Sequence, residues 1–577
     1  MKLVWQFLKP YKKMIVFVLL VMVLDVAGGL LIPTITAEII NNGIGEGNLQ
    51  YIVNRGMFML AVALLTSFGA LAGSYLCANL AAKIARDIRN AIYDKSLTFS
   101  SADVETIGTG SMITRTLSDV NVVQQTTTML IQMVLPVPVV CILGIVMAFL
   151  IDMTMGMLLT GVTSAILLMA LFVTKYASSL FEKHQSFLDR MNVVIRENLT
   201  GVRVVRAFNK EKNEEERMRE SFEHYAGVAI KANRLFAGLE SIALLIINVI
   251  IVVILFVGGN RIGAGFMKVG DITALTGYAV MILFYVLMAQ LAIVMIPRAL
   301  VCVRRIGEVL AFRPEITDEQ KNDVPVEAMT DVVRFQEVDF RYKDADEETL
   351  RALNFTCKRG QTTAIIGSTG SGKSTIVKLI LRFVDVTGGA VLLNGVDIRN
   401  ITQTELRNHI SYVPQKAWLF SGTIADNLRH GKANATEEEM QHALAVAQAG
   451  FVNELPDGIE SRVAQGGTNL SGGQKQRLSI ARAMLKKSDF YIFDDSFSAL
   501  DFKTDAALRS ALSQEMQQAA VLIIAQRIST IRNADQIIVL EDGEIAGIGT
   551  HHFLMKNCSV YRDIAKSQMK GDDPDER

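Results

Sequence analysis

The most informative stretch of this chain reads Gly367-Ser368-Thr369-Gly370-Ser371-Gly372-Lys373-Ser374-Thr375. It follows the apolar run TTAII and opens the run TIVKLILRF, so a strand, a glycine-rich turn and a helix succeed one another. This order predicts a loop that surrounds phosphate groups with backbone N–H groups at the start of a helix. We expect Lys373 to reach the β- and γ-phosphates of a nucleotide and the Ser374 hydroxyl to bind Mg²⁺. The stretch therefore predicts a site for ATP and Mg²⁺.

The surrounding sequence, residues 332–577, alternates short β-rich runs with helical segments. The β-rich runs are VRFQEVDF, TTAIIG, GAVLLNG, ISYVPQ, DFYIFDD, AAVLIIA and QIIVLEDGEI. Such alternation is typical of an α/β nucleotide-binding domain. The preceding stretch, residues 313–331, is polar, contains two prolines and lacks apolar periodicity. It predicts a linker between this domain and residues 1–312.

Residues 1–312 are far more apolar than the rest of the 577-residue chain. A helix that spans a bilayer needs about 20 mainly apolar residues. Six stretches are long enough, namely residues 14–35, 56–80, 128–150, 154–174, 236–258 and 272–297. The polar connections between them keep helical spacing, so we expect the helices to extend into the cytosol. The predicted fold class is a membrane all-α domain of six transmembrane helices with long cytosolic extensions. An α/β P-loop nucleotide-binding domain follows it.

Lysine and arginine residues indicate the orientation, because cytosolic loops of membrane proteins are enriched in them. Four lysines precede the first apolar stretch and basic residues crowd the connection at 175–235. Residues 36–54, by contrast, contain neither lysine nor arginine. We therefore expect a multi-pass protein of the cell membrane whose N-terminus and ATP-binding domain are cytosolic. The formal net charge is zero, so the composition gives no indication of a nucleic-acid partner.

Two further motifs lie in the C-terminal part. The run Tyr491-Ile492-Phe493-Asp494 ends in a carboxylate, where a residue that supports Mg²⁺ is expected. It is preceded by Leu470-Ser471-Gly472-Gly473-Gln474. With this motif the chain resembles the ATP-binding cassette (ABC) family, whose signature is LSGGQ. In that family the signature of one subunit covers the γ-phosphate that the other subunit binds. The resemblance therefore implies that the chain works in a dimer.

Other elements of the family occur in the same order here. By resemblance, Tyr342 stacks on adenine, Gln415 joins Mg²⁺ to the transmembrane domain, and Asp501 belongs to the D-loop. The residues that this resemblance assigns to Mg²⁺ are Ser374, Gln415 and Asp494. The resemblance covers nearly the whole chain and implies an exporter half-transporter. In such exporters short coupling helices dock on the cassettes, and here they are expected near residues 100–109 and 208–216.

Two positions depart from the family pattern. After Asp494 the family places a glutamate, the general base that orients the attacking water, whereas this chain has Asp495. Where the family has a switch histidine, this chain has Gln526. An aspartate is one methylene shorter than a glutamate, and catalytic geometry tolerates such misplacement poorly. A glutamine can donate a hydrogen bond but cannot carry a proton or a charge.

These departures resemble the degenerate-site subunit of heterodimeric multidrug ABC exporters. Such a chain binds ATP at a site that is poorly suited to hydrolysis, and hydrolysis is then expected mainly at the partner's site. The residues lent to that site are Ser471, Gly472, Gly473 and Gln474. The alternative is a homodimer with slow hydrolysis, in which Asp495 and Gln526 are neutral changes.

The transport pathway is harder to predict. Ionisable residues within spans usually face a cavity or one another. Asp25 lies inside the first span and is a candidate for recognising a cationic solute. Glu240 and Arg298, toward the cytosolic ends of two spans, suit either a structural ion pair or a substrate contact. Phe284 and Met288 in the sixth span suit either an adaptable cavity or ordinary helix packing.

The whole sequence predicts one subunit of an ATP-driven exporter that expels amphipathic or hydrophobic compounds by alternating access. The expected partners are a second half-transporter chain, the lipid bilayer and a small amphipathic substrate. Three alternatives remain: an importer with the same fold, an exporter of lipids or peptides, and an ATP-gated channel or sensor.

Overall fold

A computed structural model describes residues 2–293, 295–318, 327–343 and 345–569 of the chain. The chain forms two compact units. The first consists of Met1–Leu97 and Ile107–Arg313, and the second of Thr98–Thr106 and Pro314–Arg577. We refer to them as the membrane unit and the cassette unit. Part of the predicted linker, residues 319–326, falls outside the described residues.

The first 311 residues are organised in helices. The α-helices are α1 (Lys2–Leu8), α2 (Lys12–Glu38), α3 (Leu49–Ser96), α4 (Ser101–Ile107), α5 (Thr109–Thr114), α6 (Val120–Met129), α7 (Pro136–Ile151), α8 (Met153–Ala207), α9 (Glu211–Gly263), α10 (Val269–Ile293) and α11 (Ile296–Ala311). Several are joined by π-helical segments at Ile39–Ile44, Arg115–Asp119 and Leu130–Val134. A 3₁₀ turn, Lys9–Tyr11, separates α1 from α2.

Some of these helices are much longer than a bilayer is thick. Helices α3, α8 and α9 contain 48, 55 and 53 residues. At 1.5 Å per residue they are about 70–80 Å long, whereas the hydrocarbon core of a bilayer is about 30 Å thick. The prediction that the membrane helices continue far beyond a single span is therefore confirmed.

Five helical stretches among the described residues are long and apolar enough to cross a membrane. They are Trp5–Ile44, Leu49–Ser96, Thr109–Ile151, Leu244–Gly263 and Val269–Gln290. A shorter apolar stretch, Met153–Met169, opens α8 at the position of the predicted fourth span. The side chains that follow it, from residue 170 to 186, lie outside the described residues. Six spans therefore stay a prediction.

The two expected coupling segments have different structures. Helix α4 lies in the first, and its start is capped reciprocally. Asp103 accepts from the Ser100 N–H at 2.9 Å, and Ser100 Oγ accepts from the Asp103 N–H at 3.1 Å. Residues 98–106 also belong to the cassette unit, although the membrane unit flanks them in the sequence.

No separate short helix forms in the second expected coupling segment, whose residues are all described. Helix α8 ends at Ala207 and α9 begins at Glu211, so a three-residue turn joins them. Asn209 adopts a positive φ of 49° at this turn, a conformation that asparagine tolerates better than most residues. The strong helical pattern on both sides extends the two long helices up to the turn, and the expectation of a coupling helix here is wrong.

The cassette unit alternates strands and helices, as predicted. Its strands are β1 (Asp331–Phe340), β2 (Leu350–Lys358), β3 (Thr362–Gly367), β4 (Gly388–Leu393), β5 (Val396–Asp397), β6 (Ile410–Val413), β7 (Gly422–Thr423), β8 (Arg462–Val463), β9 (Phe490–Asp494), β10 (Ala520–Ile524), β11 (Gln536–Glu541) and β12 (Glu544–Gly549). Its helices are α12 (Lys373–Ile380), α13 (Gln403–Asn408), α14 (Ile424–Arg429), α15 (Glu437–Val446), α16 (Gly472–Leu485), α17 (Phe502–Glu515), α18 (Ile528–Ile531), α19 (His551–Asn557) and α20 (Ser559–Met569).

The central sheet of the cassette unit has the strand order β12-β11-β3-β10-β9-β6. Its pairs are parallel except for the β11–β12 pair. Along β3, Ala364 and Ile366 pack into one buried cluster and Ile365 into another, because successive side chains leave opposite faces of a strand. Burial on both faces explains why the predicted runs are almost continuously apolar. The carboxyl ends of β3, β9 and β10 lie side by side at one edge.

A buried arginine organises the residues next to this sheet. Arg382 follows α12, and its side chain is only 5% exposed. Its guanidinium pairs with Asp385 at 2.9 Å and with Asp318 at 3.8 Å. It also donates to the carbonyl oxygen of Ile401 at 3.3 Å. Within the cassette unit, this cluster holds Asp318, which precedes β1, next to the end of α12.

Candidate nucleotide-binding site

The glycine-rich loop between β3 and α12 has a backbone that requires glycine. Gly370 and Gly372 have φ values of +88° and +97°. Residues other than glycine adopt such values only with strain. A Cβ on Gly372 would lie 2.4 Å from Leu350 Cδ2, and one on Gly367 would lie 2.1 Å from the Leu540 carbonyl oxygen. Around a Cβ on Gly370, nothing lies within 4 Å. The loop is thus packed at its base and open at its tip.

Lys373 begins α12 and folds back over the loop. Its ammonium donates to the carbonyl oxygens of Gly367 at 2.9 Å and Ser368 at 2.6 Å. Burial lowers the pKa of Lys373, and the nearby carboxylates of Asp495 and Asp494 act in the opposite direction. An ammonium beside a helix N-terminus and an open loop fits the phosphates of a nucleotide. Ser368, Thr369 and Ser374 are exposed around it, whereas Ser371 and Thr375 are buried.

Two adjacent carboxylates follow β9 at the same edge of the sheet. Asp494 is buried, and burial together with the charge of Asp495 raises its pKa. The hydroxyl of Tyr412 donates to Asp494 Oδ2 at 3.5 Å. Asp495 is half-buried with a φ of +45°. Its Oδ2 accepts from Gln526 Nε2 at 3.1 Å and from Gln415 Nε2 at 3.3 Å.

Several side-chain oxygen atoms at this edge of the sheet suit a hard divalent cation. Mg²⁺ prefers hydroxyl, amide and carboxylate oxygens and keeps several ligands from phosphate and water. Ser374, Gln415 and Asp494 offer such atoms, and the raised pKa of Asp494 reflects a negative charge that a cation would stabilise. Among the described residues, no group of three or more His, Cys, Asp or Glu is placed to hold a metal unaided.

Tyr342 lies beside the start of α12. Its hydroxyl is 3.2 Å from Thr375 Oγ1, and its ring packs edge-on against Phe340 with centroids 4.8 Å apart. The Lys378 ammonium lies 5.5 Å from the centroid of the Tyr342 ring. The ring is half-buried, and stacking of adenine on it stays a prediction.

The signature motif caps helix α16. Ser471 is the N-cap residue, and its Oγ accepts from the Gln474 N–H at 3.3 Å. Gln474 Oε1 accepts in turn from the Ser471 N–H at 2.8 Å, which completes a capping box. A Cβ on Gly473 would lie 3.2 Å from the Ala499 carbonyl oxygen, whereas nothing lies within 4 Å of one on Gly472.

Comparison with known proteins gives the family. Residues 14–287 match the family described as ABC transporter transmembrane region, and residues 350–498 match the family described as ABC transporter. An "Uncharacterized ABC transporter ATP-binding protein" of Mycobacterium tuberculosis is 39% identical over 98% of the chain and 97% of its own length. The chain belongs to the ABC transporter family. The family resemblance inferred from the sequence is thereby confirmed, and membership implies that the cassette unit binds ATP.

Other relatives agree with this placement. The "Putative multidrug export ATP-binding/permease protein YgaD" of Bacillus subtilis is 30% identical over 98% of both chains. A solved structure of a bacterial Atm1-family ABC exporter with ATP bound has a TM-score of 0.82 at 24% identity. It covers 97% of this ABC transporter and 99% of its own chain. The predicted fold class, that of an exporter half-transporter, is confirmed, and this fold implies a dimer associated with a membrane.

Asp501, which by resemblance belongs to the D-loop, also has a structural role in this ABC transporter. Asp501 is the N-cap of α17 and accepts from the Thr504 N–H at 3.0 Å. That backbone hydrogen bond is the main reason why the pKa of Asp501 is lowered. The side chain is exposed at the surface of the cassette unit, so it is available to a second cassette.

The candidate substrate residues of the membrane unit do not come together in one place. Asp25 lines a small cavity with Tyr285, and neither Phe284 nor Met288 nor Arg298 lines it. Phe284 and Arg298 are exposed, and Met288 is half-buried. The side chain of Glu240 lies outside the described residues, so its pairing with Arg298 stays a prediction.

Sequence reasoning missed two features of these sites. One is Tyr412, which bonds to Asp494, and the other is the polar wall around Asp25. Tyr412 lies three residues before Gln415, but a tyrosine in a buried strand gives no signal of its own. The wall around Asp25 depends on how three α-helices and a π-helical segment pack, which the pattern of a single helix does not contain.

The geometry of the phosphate loop makes a prediction about two glycines. Gly372→Ala should destabilise the cassette unit by more than Gly370→Ala. Both alanines suffer a positive φ, which costs about 1–2 kcal/mol, but only the first also collides with Leu350. Thermal unfolding of the purified transporter without nucleotide measures the difference. Equal losses of stability for the two variants would contradict the described packing of the loop.

Proposed function

We propose that this chain is the degenerate-site subunit of a heterodimeric ABC exporter. In this proposal the cytosolic cassette binds ATP and Mg²⁺ through the phosphate loop, Tyr342, Gln415 and Asp494. Hydrolysis takes place mainly at the partner's site, and the pair expels amphipathic or hydrophobic compounds by alternating access. The observation that carries the proposal is the bonding of Asp495, whose carboxylate is held by two amides.

Asp495 occupies the position of the expected general base. A general base must lie within hydrogen-bond distance of the proton that it removes. One oxygen of Asp495 already accepts from Gln415 at 3.3 Å and from Gln526 at 3.1 Å. Its side chain is also one methylene shorter than that of glutamate. Both features favour a structural role for Asp495, in which its carboxylate holds the two glutamine side chains in place, over a role in activating water.

Gln526 supports the same conclusion. Gln526 lies at the position where the family has a histidine. A histidine can switch between a neutral and a charged form near neutral pH, whereas an amide cannot. Its Nε2–H is directed to Asp495. A site with this pair binds nucleotide but lacks the proton-transfer groups of an active ATPase.

The signature of this chain, by contrast, has every feature needed to complete a second site. Ser471 and Gly472 are exposed at the N-terminus of the 14-residue helix α16. A helix N-terminus attracts phosphate through its unpaired N–H groups and its dipole. Among the described residues, no atom of a neighbouring residue lies within 4 Å of the position that a Cβ on Gly472 would occupy. The glycine therefore leaves room for the close approach of a ligand that another chain binds.

The proposed direction and class of transport rest on the fold, on one relative and on the placement of basic residues. The fold is that of an exporter half-transporter, and the printed name of one Bacillus subtilis relative describes multidrug export. Lysine and arginine placement favours a cytosolic N-terminus and cassette, with residues 36–54 on the outer side. Export of amphipathic compounds from the inner side is consistent with each of these observations.

Purification through a tag on this chain tests the proposal. The chain extracted from its native membranes should bring with it a second, different half-transporter in equal amount. Expressed alone, it should bind ATP but hydrolyse it at least about tenfold more slowly than the pair, since each tenfold corresponds to 1.36 kcal/mol of activation energy. A homodimer that hydrolyses ATP at the rate of the extracted complex would contradict the proposal. Asp495 would then be the base.

A further inference from the structure

A small cavity lies inside the membrane unit next to Asp25. Its volume is about 180 Å³. The residues of its wall that bear on its chemistry are Asp25, Gly69, Gly73, Ser74, Gln132 and Tyr285. They come from α2, α3, the π-helical segment Leu130–Val134 and α10. The wall therefore combines one carboxylate with a hydroxyl, an amide and a phenol.

Among the described residues, the carboxylate of Asp25 has no counter-ion. It lies near the middle of the 27-residue helix α2 and is half-buried. In the part of the chain that the structure describes, it has neither a hydrogen-bond nor an ion-pair partner, and the cavity wall contains no lysine or arginine. A carboxylate within a membrane span is costly unless it pairs with a cation or lies in a wet cavity. This cavity thus presents a carboxyl group for which its wall supplies no basic partner.

The space next to Asp25 is created by small residues and by an irregular helix. A Cβ on Gly69 would meet nothing within 4 Å, and a Cβ on Gly73 would lie 3.4 Å from Val21 Cγ1. The N–H of Leu135 bonds to the carbonyl oxygen of Leu130 at 3.0 Å, five residues earlier. This π turn shifts the helical register at Gln132, and such turns are frequent at functional sites.

We propose that this cavity binds the ammonium group of an amine-bearing amphipathic compound, with Asp25 as the counter-ion. The volume accommodates a charged head and a short alkyl segment, so the apolar remainder of the compound lies outside it. The Tyr285 ring and the Ser74 and Gln132 side chains supply the further contacts that ammonium groups favour, a π face and oxygen acceptors. The inference rests on the proposed export function and adds the charge of the substrate to it.

A pair of matched probes tests the site. Monodansylcadaverine carries a primary ammonium on a five-carbon arm, and its N-acetyl derivative is the neutral twin. ATP-dependent uptake of each probe is measured in inside-out vesicles that contain the complete transporter. Asp25→Asn should raise the half-saturating concentration of the amine at least about thirtyfold, the smallest loss expected when one partner of a desolvated charge pair is removed. The neutral twin should be unaffected.

Three further variants separate charge from structure. Gly69→Val fills the cavity without changing its charge and should weaken uptake of the amine as well. Glu46→Gln removes an acidic residue from the exposed loop before α3 and should change nothing. Asp25→Glu should restore most of the preference for the amine over its neutral twin.

The outcomes distinguish this site from the proposed export function. If Asp25→Asn alters both probes equally or neither, the ammonium site is wrong and export stands. If Gly69→Val leaves uptake of the amine intact, the cavity is not the place where the ammonium binds. If the unmodified transporter takes up neither probe, the proposed export of such compounds fails and the ammonium site fails with it.

Discussion

Ser471→Arg should lower ATP hydrolysis by the extracted transporter about a hundredfold, whereas Asp495→Asn should lower it by less than about twofold. The first figure is the usual effect of removing one preorganised donor from a site where charge develops. The arginine also places a bulky side chain at the exposed start of α16. The second figure follows if turnover takes place at the partner's site, which Asp495 does not reach. Steady-state ATPase activity of the complex measures both.

A matched control excludes a general effect of the new charge. Ser567→Arg makes the same substitution at an exposed serine of α20, whose hydroxyl bonds only to the Ile564 carbonyl oxygen among the described residues. It should leave activity unchanged. Asp495→Glu restores the longer side chain but leaves Gln526 in place, and it should not raise activity appreciably. If Asp495→Asn is as damaging as Ser471→Arg, this chain hydrolyses ATP at its own site, and the proposal that it is the degenerate-site subunit of a heterodimer is wrong.

Arg382→Leu should lower the free energy of unfolding of the cassette unit by about 2–3 kcal/mol, because a hydrogen bond to a charged group contributes about 1.5–3 kcal/mol. The guanidinium is buried, whereas the Asp385 and Asp318 side chains are each 32% exposed, so the carboxylates stay partly hydrated after its removal. Here two carboxylates, Asp385 and Asp318, lose the guanidinium that pairs with them. Residue 382 has a positive φ of 51°. Leucine and arginine suffer the same backbone strain there, so the substitution leaves that strain unchanged. Calorimetry of the purified transporter should show a midpoint lower by about 10 °C.

An exposed pair in the same unit is the control. Arg399 pairs with Asp397 at 2.7 Å, but its side chain is 40% exposed. Exposed ion pairs contribute about 0–1 kcal/mol, so Arg399→Leu should shift the midpoint only slightly. Comparable shifts for the two leucine variants would show that the Arg382 cluster is no more important than a surface pair.

The sequence predicted features that depend on local patterns. The glycine spacing from Gly367 to Gly372, between a strand and a helix, was enough to predict the phosphate loop and its helix. The alternation of apolar runs was enough for the α/β unit, because strands buried on both faces leave a strong signal. The long helices were predicted from the helical spacing of polar connections that contain no apolar run.

Features that depend on long-range contacts could not be predicted. The bond from Gln526 to Asp495 joins residues that follow two neighbouring strands, and Asp495 has a positive φ there. The turn at Asn209 lies between two equally helical patterns, so its position was open within several residues. Similarly, the cavity next to Asp25 exists because Gly69 and Gly73 of another helix face it. Neither glycine is distinctive within its own helix.

The reciprocal cap at the start of α16 has a consequence for how two cassettes meet. Ser471 and Gln474 already satisfy each other's backbone N–H groups in the single chain, so no segment has to become ordered when a nucleotide-bound partner arrives. The Ser471 hydroxyl still has its own proton to donate. Closure of the dimer should therefore carry little conformational-entropy cost at this surface and should recur in every cycle as a rigid docking event.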